Sequence, residues 1–225
     1  MKILNTYAGI GGNRRLWGDD HDITAIELNP EIANIYKHFF PNDNVIVADA
    51  HEYLLEHFQE YEFIWASPPC QTHSRMNKNF NRIKYADMKL YQEIILLRSW
   101  FKGKYCIENV WSYYEPLIKP IVRNRHYYWC NFEIKETTKK NPIKEIHNII
   151  AQNTKSKHKR KNYDGSIVNQ TLKTGFFDIS KLNIKIARKD QILRNCVNPE
   201  EGLYILNCAL VPGFKNENEI QQSLF

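Results

Sequence analysis

The sequence predicts an α/β fold in which a parallel sheet carries helices on both faces. Short apolar runs typical of strands alternate with segments whose apolar residues recur every three to four positions, as on one face of a helix. The 225 residues suffice for one full-sized α/β domain and a small appendage, and a hydrophobic content of 43% supplies its core. Ligands of such sheets bind beyond the carboxyl ends of the strands, so functional residues are expected there.

Six segments have the composition and length of strands. These strand candidates are residues 2–7, 23–27, 44–48, 63–67, 105–108 and 127–132. The helical candidates are residues 31–39, 51–58, 88–101 and 199–210. Where strands and helices alternate, each helix returns the chain to the same edge of the sheet, so consecutive strands run parallel.

The alternating pattern stops near residue 133 and divides the chain into four parts. The predicted parts are a main α/β domain at 1–132, a lysine- and asparagine-rich region at 133–186, a C-terminal segment at 187–214 and a tail at 215–225. The formal net charge of +6 is compatible with a polyanionic partner, although many basic proteins bind no nucleic acid.

Cysteine usage and hydropathy indicate the compartment. The five cysteines form no close pairs and no CxxC motif, which argues against a disulfide framework and against zinc. The N-terminus turns polar too early for a signal peptide, and no apolar run approaches the length of a membrane span. We therefore expect a soluble, cytoplasmic protein with no metal site and no membrane association.

A glycine-rich turn follows the first predicted strand and opens a helix. Gly9, Gly11 and Gly12 let the backbone approach a ligand closely, and a helix start offers free N–H groups to an anionic or polar group. The longer GxGxxG dinucleotide pattern is absent because position 14 is Arg. An ordinary tight turn explains these glycines equally well.

Acidic residues at the ends of the next two strands favour a nucleotide-like ligand. Glu27 ends the second predicted strand, where an acid hydrogen-bonds a ribose diol in nucleotide-binding folds. Asp49 follows the third strand and is placed to accept from an adenine amino group. Each acid has an alternative role as a helix cap. Together with the glycine turn, they indicate a ligand that contains adenosine.

A thiol and a carboxylate occupy the ends of two further strands. Cys70 follows Pro68-Pro69, which rigidify the turn and point the next side chain outward, and Glu108 ends another apolar run. Attack on an electron-poor pyrimidine ring requires this pair of groups. Without context, a cysteine in a strand-end turn is more often inert than catalytic, and Glu108 would pass as an ordinary acid at a strand end.

The order of these motifs resembles the DNA (cytosine-5)-methyltransferase family. The matching segments are Tyr7-Ala8-Gly9-Ile10-Gly11-Gly12, Glu27-Leu28-Asn29, Ser67-Pro68-Pro69-Cys70-Gln71, Glu108-Asn109-Val110, Arg123-Asn124-Arg125 and Arg194-Asn195-Cys196-Val197. The resemblance implies a Rossmann-like sheet of S-adenosylmethionine-dependent methyltransferases, with residues 1–132 as the catalytic and cofactor-binding domain. It further implies that residues 133–186 form a small target-recognition region and that residues 187–214 return to the catalytic domain.

S-adenosylmethionine is the methyl donor that the resemblance implies. The cofactor-binding residues predicted on this basis are Tyr7, Ala8, Gly9, Gly11, Gly12, Glu27, Leu28, Asp49, Pro69, Asn195 and Val197. Two positions depart from the family's pattern, because Ile121 replaces a glutamine before the paired arginines and Arg194 replaces the glycine before Asn195. The motif that normally fixes the recognition domain to the catalytic domain has no clear counterpart.

The resemblance implies a covalent mechanism with Cys70, Glu108, Arg123 and Arg125 as the catalytic set. The Cys70 thiolate would add to carbon 6 of cytosine, and a nearby positive charge or helix start is expected to favour its ionisation. Glu108 would hold N3 and the exocyclic amine as a protonated or proton-sharing carboxyl. Arg125 would hold the carbonyl oxygen of the base and orient Glu108. On their own, the two arginines would pass as surface salt-bridge partners along a β-like segment.

A base inside a duplex must flip out to reach the thiol, so contacts with nucleic acid are expected. The predicted contacts are Gln71, Ser74, Arg75, Lys78 and Arg82 in and beside a loop that would close over the nucleotide, and Lys155, Lys157, Lys159, Arg160 and Lys161 in a cationic run. The cationic run would supply phosphate affinity that is independent of sequence. A solvated, charged surface is the alternative for both sets.

The last five residues, Gln221-Gln222-Ser223-Leu224-Phe225, resemble peptides that dock bacterial replication proteins on the sliding clamp. A tail packed on its own domain is the alternative.

The predicted function is methylation of carbon 5 of cytosine in a short sequence of double-stranded DNA. The compact form suits a bacterial or phage enzyme that guards DNA from restriction or accompanies a nuclease. A tRNA cytosine-5 methyltransferase and a catalytically silent nucleic-acid-binding relative are the alternatives. The intact set of Cys70, Glu108 and Arg125 argues against a silent relative.

Overall fold

A seven-stranded mixed sheet organises the computed structural model, which describes residues 1–75, 85–135, 175–177, 192–193 and 195–214. The strands are β1 (Lys2–Thr6), β2 (Asp22–Glu27), β3 (Asn44–Val47), β4 (Phe63–Ala66), β5 (Lys104–Val110), β6 (Ile121–Arg123) and β7 (His126–Cys130). The helices are α1 (Pro30–Phe39), α2 (Ala50–His57), α3 (Lys89–Trp100) and α4 (Pro199–Leu210). Short 3-10 helices cover Asn13–Leu16 and Phe58–Glu60.

The strand order is β3-β2-β1-β4-β5-β7-β6. The first five strands of this order pair in parallel, and β7 pairs antiparallel with both β5 and β6. This topology confirms the predicted Rossmann-like α/β fold class. Because β1, β2, β4 and β5 all end at one edge, their carboxyl ends bring the predicted motifs together.

Strand β6 was not among the predicted strands. It has three residues at the outer edge of the sheet, too few for a periodic apolar pattern, and it is formed by pairing with β7. The chain turns between them at Asn124, whose φ is +55°. Arg123 therefore ends β6 while Arg125 lies in the turn, so the two arginines do not alternate along one strand as expected.

Helices α1 and α4 begin at side-chain caps. Asn29 Oδ1 accepts from the backbone N–H groups of Glu31 and Ile32 at the start of α1, and Asn198 Oδ1 accepts from that of Glu200 at the start of α4. A proline occupies the first turn of both helices, where no backbone donor is needed. These caps fix where each helix leaves the functional edge of the sheet.

Alternate residues of the strands build two cores on opposite faces of the sheet. Leu4 and Ile64 are buried against α2 and α3, whereas Ile3 and Phe63 are buried on the face covered by α4. The side chain of Trp17 joins the second core and donates from Nε1 to the carbonyl oxygen of Gly202 at 3.1 Å. Helices on both faces account for strands that are apolar throughout.

Helix α4 lies against the start of the chain. Gly202 packs so closely on Asn13 that a Cβ atom at position 202 would lie 2.3 Å from the Asn13 carbonyl oxygen. Within the described ranges, no helix has the length and apolar character needed to cross a bilayer. Most of the predicted recognition region and the whole tail lie outside the described residues, so the four-part division of the chain stays a prediction.

Candidate active site

The glycine turn lies at the carboxyl end of β1 and is hydrogen-bonded to the end of β2. The Gly9 N–H donates to Glu27 Oε2 at 3.0 Å. Tyr7, Gly9 and Gly11 have φ values of +56°, +56° and +82°, a backbone region that glycine adopts freely and tyrosine rarely. A Cβ atom at Gly9 would meet no other atom within 4 Å, so the backbone here borders open space that a ligand can fill.

Gly11 and Gly12 serve close packing. A Cβ at Gly11 would lie 2.3 Å from Cε2 of Phe40, and one at Gly12 would lie 2.2 Å from the Cys196 sulfur and 2.4 Å from the Val197 carbonyl oxygen. The absence of side chains therefore lets the segment before α4 reach the glycine turn. This contact brings the predicted cofactor residue Val197, with the exposed Asn195 two positions before it, to the turn.

Both oxygens of Glu27 hold backbone groups. Oε2 accepts from Gly9, and Oε1 accepts from the Asn29 N–H at 2.9 Å, which ties the glycine turn to the start of α1. Each carboxylate oxygen has a second lone pair, so Glu27 retains capacity for a hydroxyl donor. Leu28 beside it is 66% exposed. The ligand roles of both residues stay predictions.

Asp49 caps α2, which is one of the two roles predicted for it; the other is contact with an adenine amino group. Its Oδ1 accepts from the His51 N–H at 2.8 Å and from the Glu52 N–H at 3.2 Å, and Oδ2 lies 3.9 Å from Lys89 Nζ. Burial acts to raise the pKa of Asp49, but the two backbone donors and Lys89 lower it below its usual value. The carboxylate is therefore a permanent acceptor at neutral pH, and its adenine contact stays a prediction.

A buried carboxyl under the glycine turn was missed by the sequence analysis. Glu93 of α3 is fully buried, and its Oε1 accepts from the Tyr7 hydroxyl and lies 2.8 Å from His51 Nδ1. Burial raises the pKa of both Glu93 and Tyr7. A signal was present, because Glu93 occupies the apolar side of α3 between Leu90 and Leu97.

Cys70 lies in the turn after β4. Its carbonyl oxygen accepts from the N–H groups of His73 and Ser74, both at 3.0 Å, so the chain forms a helical turn immediately after the thiol. Burial, and next to it the negative charge of Glu108, raise the pKa of the Cys70 thiol above its ordinary value. The direction is opposite to the expectation of an ionisation favoured by positive charge. The parallel pairing of β4 with β5 puts the segments that carry the two groups next to each other at one edge of the sheet.

Glu108 is 7% exposed and lies opposite Tyr128 of β7. Its Oε1 is 3.6 Å from Nε2 of His126, which starts β7 and is half-exposed. The sequence analysis missed His126, because only the pairing of β5 with β7 brings it to the acid. The site therefore contains a thiol, a carboxyl and an imidazole in succession.

The two predicted catalytic arginines have different surroundings. Arg123 is buried, and its Nε lies 2.6 Å from Glu201 Oε1 on α4. Arg125 is exposed in the β6–β7 turn, at the same edge of the sheet as Glu108. Contact of Arg125 with a base therefore stays a prediction, while Arg123 is engaged within the protein.

The start of the loop after Cys70 is fastened to the segment after β5. Ser74 forms an isolated bridge with Ser112, the Arg75 N–H donates to the Trp111 carbonyl oxygen at 3.0 Å, and the Arg75 guanidinium lies 4.9 Å from the centre of the Trp111 ring. Pro69, Gln71 and Arg75 are exposed. The remaining predicted nucleic-acid contacts, Lys78, Arg82, Lys155, Lys157, Lys159, Arg160 and Lys161, lie outside the described residues.

Comparison with known proteins gives one family for the first half of the chain, which carries most of this site. Residues 1–115, just over half of the 225, match the family described as C-5 cytosine-specific DNA methylase. The matched residues include the glycine turn, Glu27, Asp49, Cys70 and Glu108.

Curated relatives match a shorter segment. A mouse tRNA (cytosine(38)-C(5))-methyltransferase is 32% identical over 82 residues, which are 34% of this chain and 20% of the relative. Its counterpart from Spodoptera frugiperda is 31% identical over 83 residues, or 34% of this chain and 25% of the relative. The match thus spans about a fifth to a quarter of the length of these relatives.

Two solved structures illustrate the likeness in three dimensions. A DNMT2 variant from Spodoptera frugiperda has 20% sequence identity and a TM-score of 0.40, covering 61% of this chain and 53% of that one. The Entamoeba histolytica methyltransferase EhMeth has 16% identity and a TM-score of 0.37, covering 63% and 57%.

Proposed function

This chain belongs to the C-5 cytosine-specific DNA methylase family, and we propose that it methylates carbon 5 of cytosine in a short sequence of double-stranded DNA. S-adenosylmethionine is the methyl donor of this family. The observation that carries the proposal is the buried hydrogen bond of 3.0 Å from Asn109 Nδ2 to the Pro68 carbonyl oxygen, which joins the part of β5 that carries Glu108 to the turn after β4 that carries Cys70. A nucleophile next to an acid is the minimum that addition to a cytosine ring requires.

The glycine turn fits an adenosine-containing methyl donor. The open space at Gly9 admits a ligand against the backbone, Glu27 retains acceptor capacity for a ribose diol, and Asp49 is an ionised acceptor for an amino group. The bound cofactor supplies an electrophilic methyl group. The protein's task is to hold that group beside the ring edge that Cys70 attacks.

The raised pKa of Cys70 affects the first step. The thiol passes its proton to water, its sulfur bonds to carbon 6, and the electron pair of the C5–C6 double bond becomes available at carbon 5 for the methyl group. Glu108, which takes up a proton from water when the target cytosine binds, holds that proton toward N3 and offsets the negative charge that develops on the ring. Water then accepts the carbon-5 proton, which restores the double bond and releases Cys70. Before a target cytosine occupies the site, the thiol stays protonated. A protonated thiol is less reactive toward other electrophiles than a thiolate is.

Trapping the covalent intermediate tests this function. Duplex DNA that contains 5-fluorocytosine, mixed with the chain and cofactor, should give an adduct that survives denaturation, because fluorine blocks the loss that releases Cys70. Cys70→Ser should give no adduct, whereas Cys130→Ser, which changes a half-buried thiol of β7, should give the normal amount. DNA binding without any adduct would favour the catalytically silent relative.

A tRNA substrate is the second candidate, favoured by the names of the curated relatives, which are tRNA (cytosine(38)-C(5))-methyltransferases. The same centre would serve either nucleic acid. Incorporation of labelled methyl groups into duplex DNA and into tRNA, measured side by side, separates the two. Bisulfite sequencing of DNA from cells that express the chain would then identify the modified carbon and the target sequence.

Docking of residues 221–225 on a sliding clamp stays a prediction of the sequence. Titration of the tail peptide against a clamp tests it, and no binding at high micromolar concentration would remove it.

A further inference from the structure

We propose that Glu201 of α4 is a positioning residue for the reacting centre, which it serves by holding the β6–β7 turn beside Glu108. This inference rests on the proposed function, in which Glu108 and Arg125 meet the target base. It assigns Arg123 the task of anchoring the turn within the protein.

The carboxylate of Glu201 binds the last residue of β6 and the first residue of the turn. Its Oε1 lies 2.6 Å from Nε of Arg123, and its Oε2 accepts from Nδ2 of Asn124 at 3.0 Å. The Arg123 and Glu201 side chains are only 7% and 13% exposed. A charge-assisted contact with so little water around it is stronger and more directional than a surface ion pair.

A second residue of α4 restrains the same guanidinium. The Arg123 Cζ atom lies 3.8 Å from the ring centre of Tyr204, one helical turn after Glu201. Arg123 Nη1 also donates to the Lys135 carbonyl oxygen at 2.9 Å, and the Lys135 N–H donates to the Tyr204 hydroxyl at 3.3 Å. Arg123 is therefore fixed from three sides and has no freedom to reach a substrate.

The turn that these contacts hold needs support. Asn124 has a φ of +55°, a left-handed conformation that costs energy for a residue other than glycine. Its side-chain amide donates to Glu201, and this hydrogen bond stabilises that conformation. Arg125 follows directly, and His126 comes next with its Nε2 3.6 Å from Glu108 Oε1. A shift of the turn would therefore move both the Arg125 guanidinium and the His126 imidazole relative to Glu108.

The same end of the helix also reaches the cofactor side. The segment before α4 packs against Gly12 through Cys196 and Val197, and Gly202, next to Glu201, packs on Asn13. The start of α4 thus contacts the residues of the glycine turn on one side and the β6–β7 turn, through Glu201, on the other. Removing the Glu201 contact would release the β6–β7 turn and leave the glycine turn in place. Methyl transfer should therefore slow while the cofactor still binds.

Glu201→Gln tests the role with minimal change of shape. Glutamine has one oxygen and one NH₂ group, so its oxygen can accept from either Arg123 or Asn124. Its NH₂ group then faces the donor of the other residue and forms no hydrogen bond with it. We expect methyl transfer and adduct formation per folded molecule to fall by about ten- to a hundredfold, the cost of slight misplacement in an active site. Cofactor affinity should not change. Glu200→Gln, the same substitution at the neighbouring exposed position, is the matched control and should retain the parental rate.

A third variant and a structural readout complete the experiment. Glu201→Asp, which keeps the charge on a shorter stem, should recover part of the rate. Amide hydrogen exchange within residues 123–126, which needs no turnover, should accelerate in Glu201→Gln and not in Glu200→Gln. Equal exchange and equal rates in the two glutamine variants would overturn the inference, as would a Glu201→Gln protein that is only less stable. A parent chain inactive on both DNA and tRNA would instead refute the proposed function, and the exchange comparison would still decide the role of Glu201.

Discussion

Asn109 Nδ2 donates to the carbonyl oxygen of Pro68 at 3.0 Å, and this buried bond ties the end of β5 to the turn that carries Cys70. Glu108 precedes Asn109 directly, while Cys70 follows Pro68 by two positions. This side chain thereby helps to set the spacing between Cys70 and Glu108. The amide is suited to this role because it adds no charge to a site where the Glu108 charge already opposes ionisation of the thiol.

Asn109→Ala should separate the two groups. The variant leaves the buried Pro68 oxygen without its donor, which costs about 1–3 kcal/mol of unfolding free energy. Adduct formation should fall more than cofactor affinity, because the glycine turn is not involved. Chemical denaturation and adduct yield on 5-fluorocytosine DNA measure the two effects. A normal adduct rate in the folded variant would show that the bond does not position Cys70.

Alkylation of Cys70 by iodoacetamide should titrate at a higher pH than a free thiol does. Burial and the Glu108 charge raise the pKa of Cys70 above 9.0, so the thiolate fraction and the alkylation rate should still be rising at pH 9. Glu108→Gln removes the second cause and should move the midpoint downward, although not to the free value because burial remains. Mass spectrometry of the Cys70 peptide gives the rate at each pH, and an unchanged midpoint in Glu108→Gln would contradict the electrostatic link.

The Tyr7–Glu93–His51 cluster should make unfolding free energy depend on pH. Burial raises the pKa of Glu93 above 4.5, and the Glu93 hydrogen bond raises the pKa of His51 above 6.5. The folded state therefore holds protons that the unfolded state releases, so stability falls as pH rises from about 4.5 through the folded-state pKa of His51.

Glu93→Gln should flatten that dependence. The uncharged amide no longer releases a proton and no longer favours the imidazolium form of His51. Urea unfolding between pH 5 and pH 8 measures the slope, with Glu52→Gln on the exposed side of α2 as the control. A slope that Glu93→Gln leaves unchanged would show that other groups govern the pH response.

Gly12→Ala should weaken cofactor binding. The new methyl group would lie 2.2 Å from the Cys196 sulfur and 2.4 Å from the Val197 carbonyl oxygen, so the segment before α4 must move away. Overpacking of this kind costs about 1–3 kcal/mol of stability. Gly18→Ala is the comparison, because position 18 has a φ of +77° and open space, so backbone strain acts there without a clash. Equal cofactor affinity in both variants would refute the packing argument.

The fold and half of the site were accessible from sequence because their signals are local. Buried strands such as β4 appear as continuous apolar runs, the glycines mark a turn, and Pro68-Pro69 mark the turn that carries Cys70. These features require only the neighbouring residues in the chain to be recognised.

The missed residues depend on contacts between distant positions. Glu201 meets Arg123 across 78 positions of sequence, and Glu93 meets Tyr7 across 86. His126 reaches Glu108 only through the register of β5 and β7. The raised pKa of Cys70 could not be predicted from the sequence either, because its main cause is burial, and burial depends on the whole fold.

Lys135 is anchored at both its amide and its carbonyl, to Tyr204 and to Arg123. The chain enters the lysine-rich segment from this fixed point, and at Phe177, which is buried against Phe39 and Phe40, it packs on the domain again. A segment whose two ends are both held by the domain can be exchanged without disturbing that domain. We expect exchange of residues 136–174 alone, within the predicted recognition region, to transfer target preference between related proteins and to leave Cys70 and Glu108 in place.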